Sequence, residues 1–314
     1  MRMHWVLSFA VVLSGMLIIS SFVNDACAGQ VVTDAVRQWA EQAVKAEASL
    51  KLEPAANTVA VLYFQNRTRQ PRLDFLQKGM AVLLITDLSK LQTIQVVERT
   101  QVQALVQELK LGASGLVAKG TEPRMGRLLG ARYLVGGTIN PGNDDTFTID
   151  SNLLNVPQDG IVGSPSGSGT LARLLSVEKE ILFEIVRLLQ LQLTETQKAE
   201  LRKPVTTSIK ALMFLVRGIN GSDDGAYERA ADNYRKALQI DPGLAPARSA
   251  LGELRAMGLI GAGPGNNALL YNLRKRVSVN QGPIPDQITK RRDSEPASVL
   301  GPAGDTTGDV RVQW

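Results

Sequence analysis

The pattern of hydrophobic and polar positions predicts helices and strands that follow one another along the chain. Val31–Leu50 has apolar residues at helical spacing, and Pro54 ends that pattern. Thr58–Phe64 is short and almost wholly apolar, which is typical of a strand buried on both faces. Leu73–Leu91 again shows the helical period, and we expect Asp87 on its exposed side.

The same alternation continues to residue 139. Ile94–Val97 and Tyr133–Ile139 predict two more strands. Between them, Arg99–Leu111 predicts a helix that ends at Gly112, and Pro123–Leu129 predicts a short one. Strands that alternate with helices predict a layered α/β fold, here a mixed sheet with helices on its faces.

The pattern changes after residue 145. Thr146–Val156 alternates enough to predict a strand that pairs antiparallel. Gly160–Gly169 is rich in Gly, Ser and Pro and has no hydrophobic period, so it is predicted to be a linker. Leu171–Leu193 predicts a long amphipathic helix that lies across the sheet. Its charged residues belong on a solvated helix face rather than in a membrane.

Composition excludes several classes of catalytic chemistry. The 314 residues include one histidine, His4, and one cysteine, Cys27. Because there is one of each and both lie near the N-terminus, the chain cannot form a Ser-His-Asp triad, a zinc site of Cys and His ligands, or an intrachain disulfide. We predict no catalytic, cofactor-binding or metal-ligating residue, and no enzymatic activity. The carboxylate pairs Asp144–Asp145 and Asp223–Asp224 leave a glycosidase formally open, but adjacency alone does not place two carboxyls across a substrate.

The N-terminus has the pattern of an export signal. Arg2 is followed by the uncharged, mostly apolar stretch Val6–Val23, and Ala26-Cys27-Ala28 has the form of a cleavage site. We therefore predict a signal peptide over residues 1–28. An uncleaved anchor and acylation of Cys27 are the alternatives, and the second is disfavoured because Asn24 and Asp25 do not fit a lipobox.

An ordered series of short motifs between residues 59 and 139 resembles the CsgG family of curli production assembly and transport components. Related domains are those of FlgO-type proteins, the N-terminal domain of TolB, and outer-membrane lipoproteins that activate penicillin-binding proteins. The motifs are Val59–Phe64, Asn66, Gly79–Leu84, Ile94–Arg99, Leu105–Leu109, Gly126 and Leu129–Thr138. The resemblance implies a CsgG-like α/β domain, for which we expect residues 31–200, and none of these residues implies catalysis.

The chain departs from the pore-forming member of that family. A curli-type channel inserts two long membrane hairpins per subunit, with alternating lipid-facing and lumen-facing residues. Only about thirty residues, many of them Gly, Pro, Asp and Asn, lie between Ile139 and Leu171. The pore function is therefore not expected to carry over, although an oligomer remains open.

A second motif resembles one tetratricopeptide repeat, within a helical region expected over residues 204–260. Small residues stand where two antiparallel helices must touch, a tyrosine fills the space beside them, and a proline ends the second helix. A further helix, Leu244–Met257, should follow. The residues that we predict for packing or protein binding are Phe214, Gly218, Tyr227, Ala230, Tyr234, Ala237 and Pro242. One repeat cannot bury its own face, so it forms either a docking groove or a structural cap on the α/β domain.

The C-terminal residues 261–314 are rich in Gly and Pro and carry basic clusters at Arg274–Arg276 and Lys290–Arg292. This composition predicts a disordered, solvated tail. Anionic lipid or polysaccharide would be its counter-charge. No nucleic-acid partner is expected, because binding would need interleaved aromatic residues or a folded basic face, and an exported protein rarely meets nucleic acid. The ending Val310-x-Val312-x-Trp314 faintly resembles the aromatic-ended signal of outer-membrane barrels, but no predicted barrel strands precede it.

The residues together predict a non-enzymatic assembly or accessory protein of the periplasm, associated with the outer membrane or free beside it. Its expected partners are envelope or secretion proteins, bound through protein–protein contacts of the α/β domain and the helical repeat. A homo-oligomer remains open, and no cofactor is expected. The alternative hypothesis is an oligomeric curli-type secretion channel component of the outer membrane.

Overall fold

The predicted mixed α/β fold is confirmed. The computed structural model describes residues 30–49, 54–111 and 121–261. The strands of this part are β1 (Thr58–Val61), β2 (Gln65–Asn66), β3 (Gln95–Val96), β4 (Tyr133–Pro141), β5 (Thr146–Asn155), β6 (Gly160–Gly163) and β7 (Ser166–Thr170). The helices are α1 (Asp34–Lys45), α2 (Phe75–Leu88), α3 (Arg99–Glu108), α4 (Thr121–Leu128), α5 (Leu174–Leu188), α6 (Glu195–Arg202), α7 (Ile209–Asp223), α8 (Tyr227–Ile240) and α9 (Ala245–Ala256).

One sheet combines a parallel and an antiparallel part. Its strand order is β3-β1-β4-β5-β6, and β1 pairs parallel with both β3 and β4. The short strand β2 also pairs parallel with β4. A long antiparallel ladder joins β4 to β5, from Tyr133 opposite Asn155 to Pro141 opposite Phe147. The antiparallel strand predicted at residues 146–156 is therefore confirmed.

The apolar run at residues 58–64 forms the centre of the core. All four residues of β1 are buried, and so are Leu62, Tyr63 and Phe64 beyond its end. The backbone N–H of Leu62 still donates to the carbonyl of Val135, so the chain follows β4 past the end of the assigned strand. A strand covered on both faces needs apolar side chains at every position, and this explains why the run lacks alternation.

The linker predicted at Gly160–Gly169 was wrong. These residues form β6 and β7, and both pair antiparallel with β5 along the edge that faces away from β4. A Cβ on Gly167 would lie 2.9 Å from Val177, and a Cβ on Gly163 would lie 2.6 Å from Leu188. Glycine is needed because α5 lies directly on this edge of the sheet. A hydrophobic pattern cannot reveal a strand whose inward positions are glycine.

The predicted helices are present, although their ends differ by a few residues, and α4 begins two residues before Pro123. Thr33 caps α1 by accepting a hydrogen bond from the N–H of Val36, and α5 ends at Leu188 rather than at Leu193. Leu244–Met257 contains α9, as expected. Among the described residues, the helices are too short or too polar to cross a membrane. The predicted signal peptide and nearly all of the basic tail lie outside the described residues.

Candidate functional site

A buried polar cluster joins the sheet domain to the α7–α8 hairpin. We call it the junction cluster: Arg99, Asp223, Tyr63, Gln103 and Lys78. The Arg99 guanidinium is fully buried and donates to both carboxylate oxygens of Asp223, each at 3.1 Å. It also donates to the Tyr63 hydroxyl at 2.9 Å, which in turn donates to Gln103 Oε1 at 2.9 Å. The cluster thereby connects groups 124 residues apart in the chain.

Arg99 and Asp223 depend on each other because of the position that each charge occupies on its helix. Arg99 is the first residue of α3 and Asp223 is the last residue of α7. A cation at a helix N-terminus and an anion at a C-terminus are both unfavourable to the helix dipole. Each of the two charges therefore relies on the other for compensation, which ties the start of α3 to the end of α7.

Lys78 completes the junction cluster from α2. Its Nζ donates to Asp223 Oδ2 at 2.7 Å and lies 5.3 Å from the centre of the Tyr63 ring. Burial lowers the pKa of Lys78, against the opposing attraction of Asp223. Burial also raises the pKa of Tyr63 well above its usual range, so its hydroxyl keeps the proton that it donates. The hydrogen bonds and the ion pair of the cluster hold the three helices and the sheet together.

A second buried cluster joins α2 to α5, and it corrects the expectation that Asp87 is exposed. Asp87 is fully buried and accepts hydrogen bonds from Lys90 Nζ at 2.7 Å and from Lys179 Nζ. Two ammonium groups compensate the carboxylate, which makes its burial tolerable. We call Asp87, Lys90, Lys179 and Glu178 the α2–α5 cluster.

Glu178 is the unsatisfied member of the α2–α5 cluster. It is buried, its Oε2 lies 3.4 Å from Lys179 Nζ, and its Oε1 has no hydrogen-bond partner. Burial raises the pKa of Glu178 to about 8, although Lys179 opposes the shift; Asp87 adds to it. Glu178 is therefore largely protonated at neutral pH.

Four of the residues predicted for the helical repeat meet between α7 and α8. Gly218 faces the Tyr234 ring so closely that a Cβ would lie 2.4 Å from a ring carbon. Ala230, Tyr234 and Ala237 are fully buried, and the Tyr234 hydroxyl lies 3.0 Å from Ser222 Oγ. The small residues therefore allow the close helix contact that their spacing predicts, while the repeat assignment itself stays a prediction.

The other three predicted residues lie nearer the surface. Phe214 is partly buried, with Arg217 and Lys236 placed over its ring at 5.6 and 5.8 Å. Tyr227 is partly buried at the start of α8, and Pro242 is exposed just beyond its end. Their role in protein binding stays a prediction.

One face of α7 is used within the molecule. A Cβ on Gly79 of α2 would lie 3.5 Å from Val216 of α7, and Leu212 is a further neighbour. Because α7 packs between α2 and α8, the surface that remains for a partner includes the Phe214 side of α7 and the outer side of α8.

The acidic pairs that left a glycosidase open are separated in their surroundings. Asp145 pairs with Arg72, and Asp144 has a left-handed backbone in the turn before β5. Asp223 belongs to the junction cluster, and Asp224 is exposed at the end of α7. Within the described ranges, no three His, Cys, Asp or Glu side chains are grouped so that they could hold a metal ion. Cys27 lies outside those ranges.

Comparison with known proteins supports the resemblance of the sheet domain. Residues 37–141 match the CsgG family, described as curli production assembly/transport component CsgG. The match confirms the resemblance that the motifs between residues 59 and 139 predicted for this region of the chain.

A curated relative extends over more of the chain. A protein of Rhizobium meliloti (strain 1021), provisionally named adenylate cyclase 3, is 25% identical over 242 residues. The alignment covers 74% of this chain, but the chain spans only 39% of that protein's length.

Among solved structures, the C-terminal domain of LpoB from Salmonella enterica is 18% identical, with a TM-score of 0.28. Lipoprotein GNA1162 from Neisseria meningitidis is 16% identical, with a TM-score of 0.32. Each comparison covers 44% of this chain and 99% of the other.

Proposed function

We propose that this protein is a non-enzymatic accessory or assembly protein of the cell envelope that binds other envelope or secretion proteins. The observation that carries the proposal is the CsgG-family domain at residues 37–141. The family description names assembly and transport, and in both buried clusters the charged groups bond to one another. Export through the signal predicted at residues 1–28 would place the protein in the periplasm or at the outer membrane.

The junction cluster supports a role in which the sheet domain and the hairpin act together. Since Arg99, Tyr63 and Lys78 of the sheet domain all contact Asp223 or one another, the hairpin cannot leave its place without exposing unpaired buried charges. A partner would therefore meet both regions as one rigid surface, and the hairpin serves as much to cap the domain as to dock a protein.

The channel hypothesis receives less support. A curli-type channel would need Asn140–Gly169 as membrane-inserting hairpins. In the structure most of these residues form β5, β6 and β7, and Gly163, Gly167 and Gly169 lie against residues of α5. Inserting them would require α5 to separate from the sheet.

The experiment combines cell fractionation with site-specific crosslinking in the bacterium that encodes the protein. A photo-crosslinking phenylalanine analogue replaces Phe214 in one variant and Phe183 in the other. Phe183 is a matched control because it is also partly buried beneath an arginine, Arg202, at 5.9 Å. Mass spectrometry identifies the mature N-terminus and the crosslinked protein.

We expect the chain in the envelope fraction, cut after the predicted signal, with a crosslink to an envelope protein from position 214 but not from position 183. An uncleaved chain in the cytosol would contradict the proposal. A diacylglyceryl mass on Cys27 would instead place the protein among lipoproteins. Equal crosslinking from both positions would argue against docking on the hairpin.

A further inference from the structure

The outer side of the α7–α8 hairpin carries exposed bases around one aromatic ring. Lys210, Phe214 and Arg217 follow one another at helical spacing and lie along one stripe of α7. The guanidinium carbon of Arg217 lies 5.6 Å from the ring centre of Phe214, and the Nζ of Lys236 on α8 lies 5.8 Å from it. The three bases are exposed and the ring is partly buried. We call these four residues the basic face.

The charge of the basic face is not neutralised within the part of the chain that the structure describes. There, Lys210, Arg217 and Lys236 form no ion pair with a carboxylate. By contrast, Arg235 on another side of α8 is paired at 2.6 Å with an aspartate one turn earlier. Asp224 is the acid on the same stripe of α7, two turns beyond Arg217 and just past the end of the helix. Because an aromatic ring attracts a cation without removing its charge, the face keeps a net positive charge.

The bases form a row rather than a single point of charge. Lys210 and Arg217 are separated by about 10 Å along the helix axis, and Lys236 stands beside the Phe214 ring between them. Ile240, one turn after Lys236 on α8, is 38% exposed and adds an apolar side chain to the ring. Guanidinium groups bind carboxylates in a bidentate geometry. The row therefore suits a chain that carries several carboxylates with apolar side chains between them.

We propose that the basic face binds an acidic segment of the partner protein. Its carboxylates pair with Lys210, Arg217 and Lys236, and its apolar side chains cover Phe214. A protein segment is favoured over a membrane surface because a peptide alternates charged and apolar side chains, whereas a bilayer holds its apolar chains behind the headgroups. Charge complementarity of this kind fixes the register of a partner and speeds its association. The inference rests on the proposed function, since it names the chemistry of the envelope partner.

The test measures how the purified full chain binds a labelled synthetic peptide in which glutamate alternates with leucine. Fluorescence anisotropy is recorded at low and at physiological salt, because salt screens exposed charges. The test variants are Arg217→Glu/Lys236→Glu and the milder Arg217→Gln/Lys236→Gln. Arg248→Glu/Arg255→Glu is the matched control, since it makes the same change in charge at two exposed positions of α9. The other probes are the same peptide with lysine in place of glutamate, vesicles that contain phosphatidylglycerol, and the polysaccharide alginate.

We expect the parent chain and the α9 variant to bind the acidic peptide with a dissociation constant of roughly 10–100 µM at low salt. Charge reversal on the basic face should weaken binding at least about tenfold, and the glutamine variant should weaken it less. Circular dichroism should show unchanged folding, since the replaced side chains are exposed.

Three results would overturn the proposal: no saturable binding at about 1 mM peptide, equal weakening by the α9 variant, or equal binding of the lysine peptide. Tighter binding of the vesicles or of alginate than of the acidic peptide would also overturn it, and would assign the face to a lipid or a polysaccharide.

The assay separates this inference from the proposed envelope function. A chain that binds the acidic peptide but fractionates with the cytosol would contradict the envelope function and support the acidic preference. A chain in the envelope fraction that binds no acidic peptide would do the reverse.

Discussion

The junction cluster and the α2–α5 cluster are both buried groups of charges, but they differ in how completely they are satisfied. In the junction cluster, Arg99 and Asp223 compensate each other, and the guanidinium also donates to Tyr63 and to Gln30. In the α2–α5 cluster, Glu178 keeps one oxygen without a hydrogen-bond partner. Burial is therefore compatible with a paired arginine and aspartate in the first cluster, and it favours a protonated carboxyl in the second.

The two clusters also differ in what they hold. The junction cluster joins the sheet domain to a helix more than a hundred residues later, so its integrity decides whether the hairpin belongs to the domain. The α2–α5 cluster fastens a helix that already lies on the sheet through Val177 and Leu188. Breaking the junction cluster should lower the free energy of unfolding more than titrating the α2–α5 cluster does. The two effects can be measured separately.

The largest effect is expected from breaking the junction cluster. Asp223→Ala leaves the Arg99 guanidinium buried and uncompensated, which should lower the free energy of unfolding by about 3–5 kcal/mol. The double variant Arg99→Met/Asp223→Leu removes both charges and should recover part of that loss, because Lys78 alone is then left without its carboxylate partner. Chemical denaturation of the parent, Arg99→Met, Asp223→Leu and the double variant forms a double-mutant cycle. The exposed pair Arg187–Glu184 supplies a control, Arg187→Ala, that should leave the unfolding curve unchanged. If Asp223→Ala lowers the free energy of unfolding as little as Arg187→Ala does, the Arg99–Asp223 pair does not hold the hairpin.

The next effect concerns the α2–α5 cluster and its dependence on pH. The pKa of Glu178 is about 8 in the folded chain and near the ordinary 4.5 in the unfolded chain. The folded state thus holds the proton more tightly, and the contribution of this carboxyl is complete below pH 4.5. It is lost as the pH rises from 4.5 through 8, by an amount on the order of a few kcal/mol.

Glu178→Gln isolates this contribution, because glutamine keeps the shape of the side chain without a charge to titrate. Between pH 5 and 9, at values about one unit apart, the parent chain should lose stability relative to the variant. Lys90, Lys179 and Asp87 face the same site, so the readout is the difference between the two chains. Parallel curves for both chains would mean that Glu178 is ionised throughout.

The smallest effect asks whether packing as well as charge holds the hairpin. Gly218→Ala places a methyl group against the Tyr234 ring and should destabilise the chain by about 1–3 kcal/mol. Gly252→Ala on α9 is its matched control, because nothing lies within 4 Å of that Cβ, and it should stabilise the helix by about 0.5–1 kcal/mol. Thermal unfolding of the two variants measures both changes in stability. Stabilisation by both substitutions would mean that α7 and α8 do not touch at Gly218.

Local pattern was sufficient for most of the fold. The strands at residues 58–64 and 133–139, and the helices between them, follow from runs and periods of apolar side chains. Gly218, Ala230 and Tyr234 were recognised from their spacing, because close helix contact demands small residues at fixed intervals. The CsgG resemblance followed from the order of such motifs and is confirmed for residues 37–141.

Three features could not be found in this way. Asp87 is buried because two lysines, one of them on α5, compensate it. Gly163, Gly167 and their serine neighbours form strands because α5 lies over them, and glycine gives no hydrophobic signal. Arg99 looks like any charged residue at the start of a helix, and nothing nearby in the sequence points to Asp223.

The sequence by itself determined most of the order of strands and helices, the CsgG-like domain, the hairpin contact and the shortage of histidine and cysteine, because each depends on neighbours along the chain. Only the tertiary structure decided which charges are buried, that residues 160–170 complete the sheet, and that bases from two helices meet at the Phe214 ring. Those outcomes depend on groups brought together from distant positions. The free energy of burying a charge is set by such partners, and local sequence does not contain them.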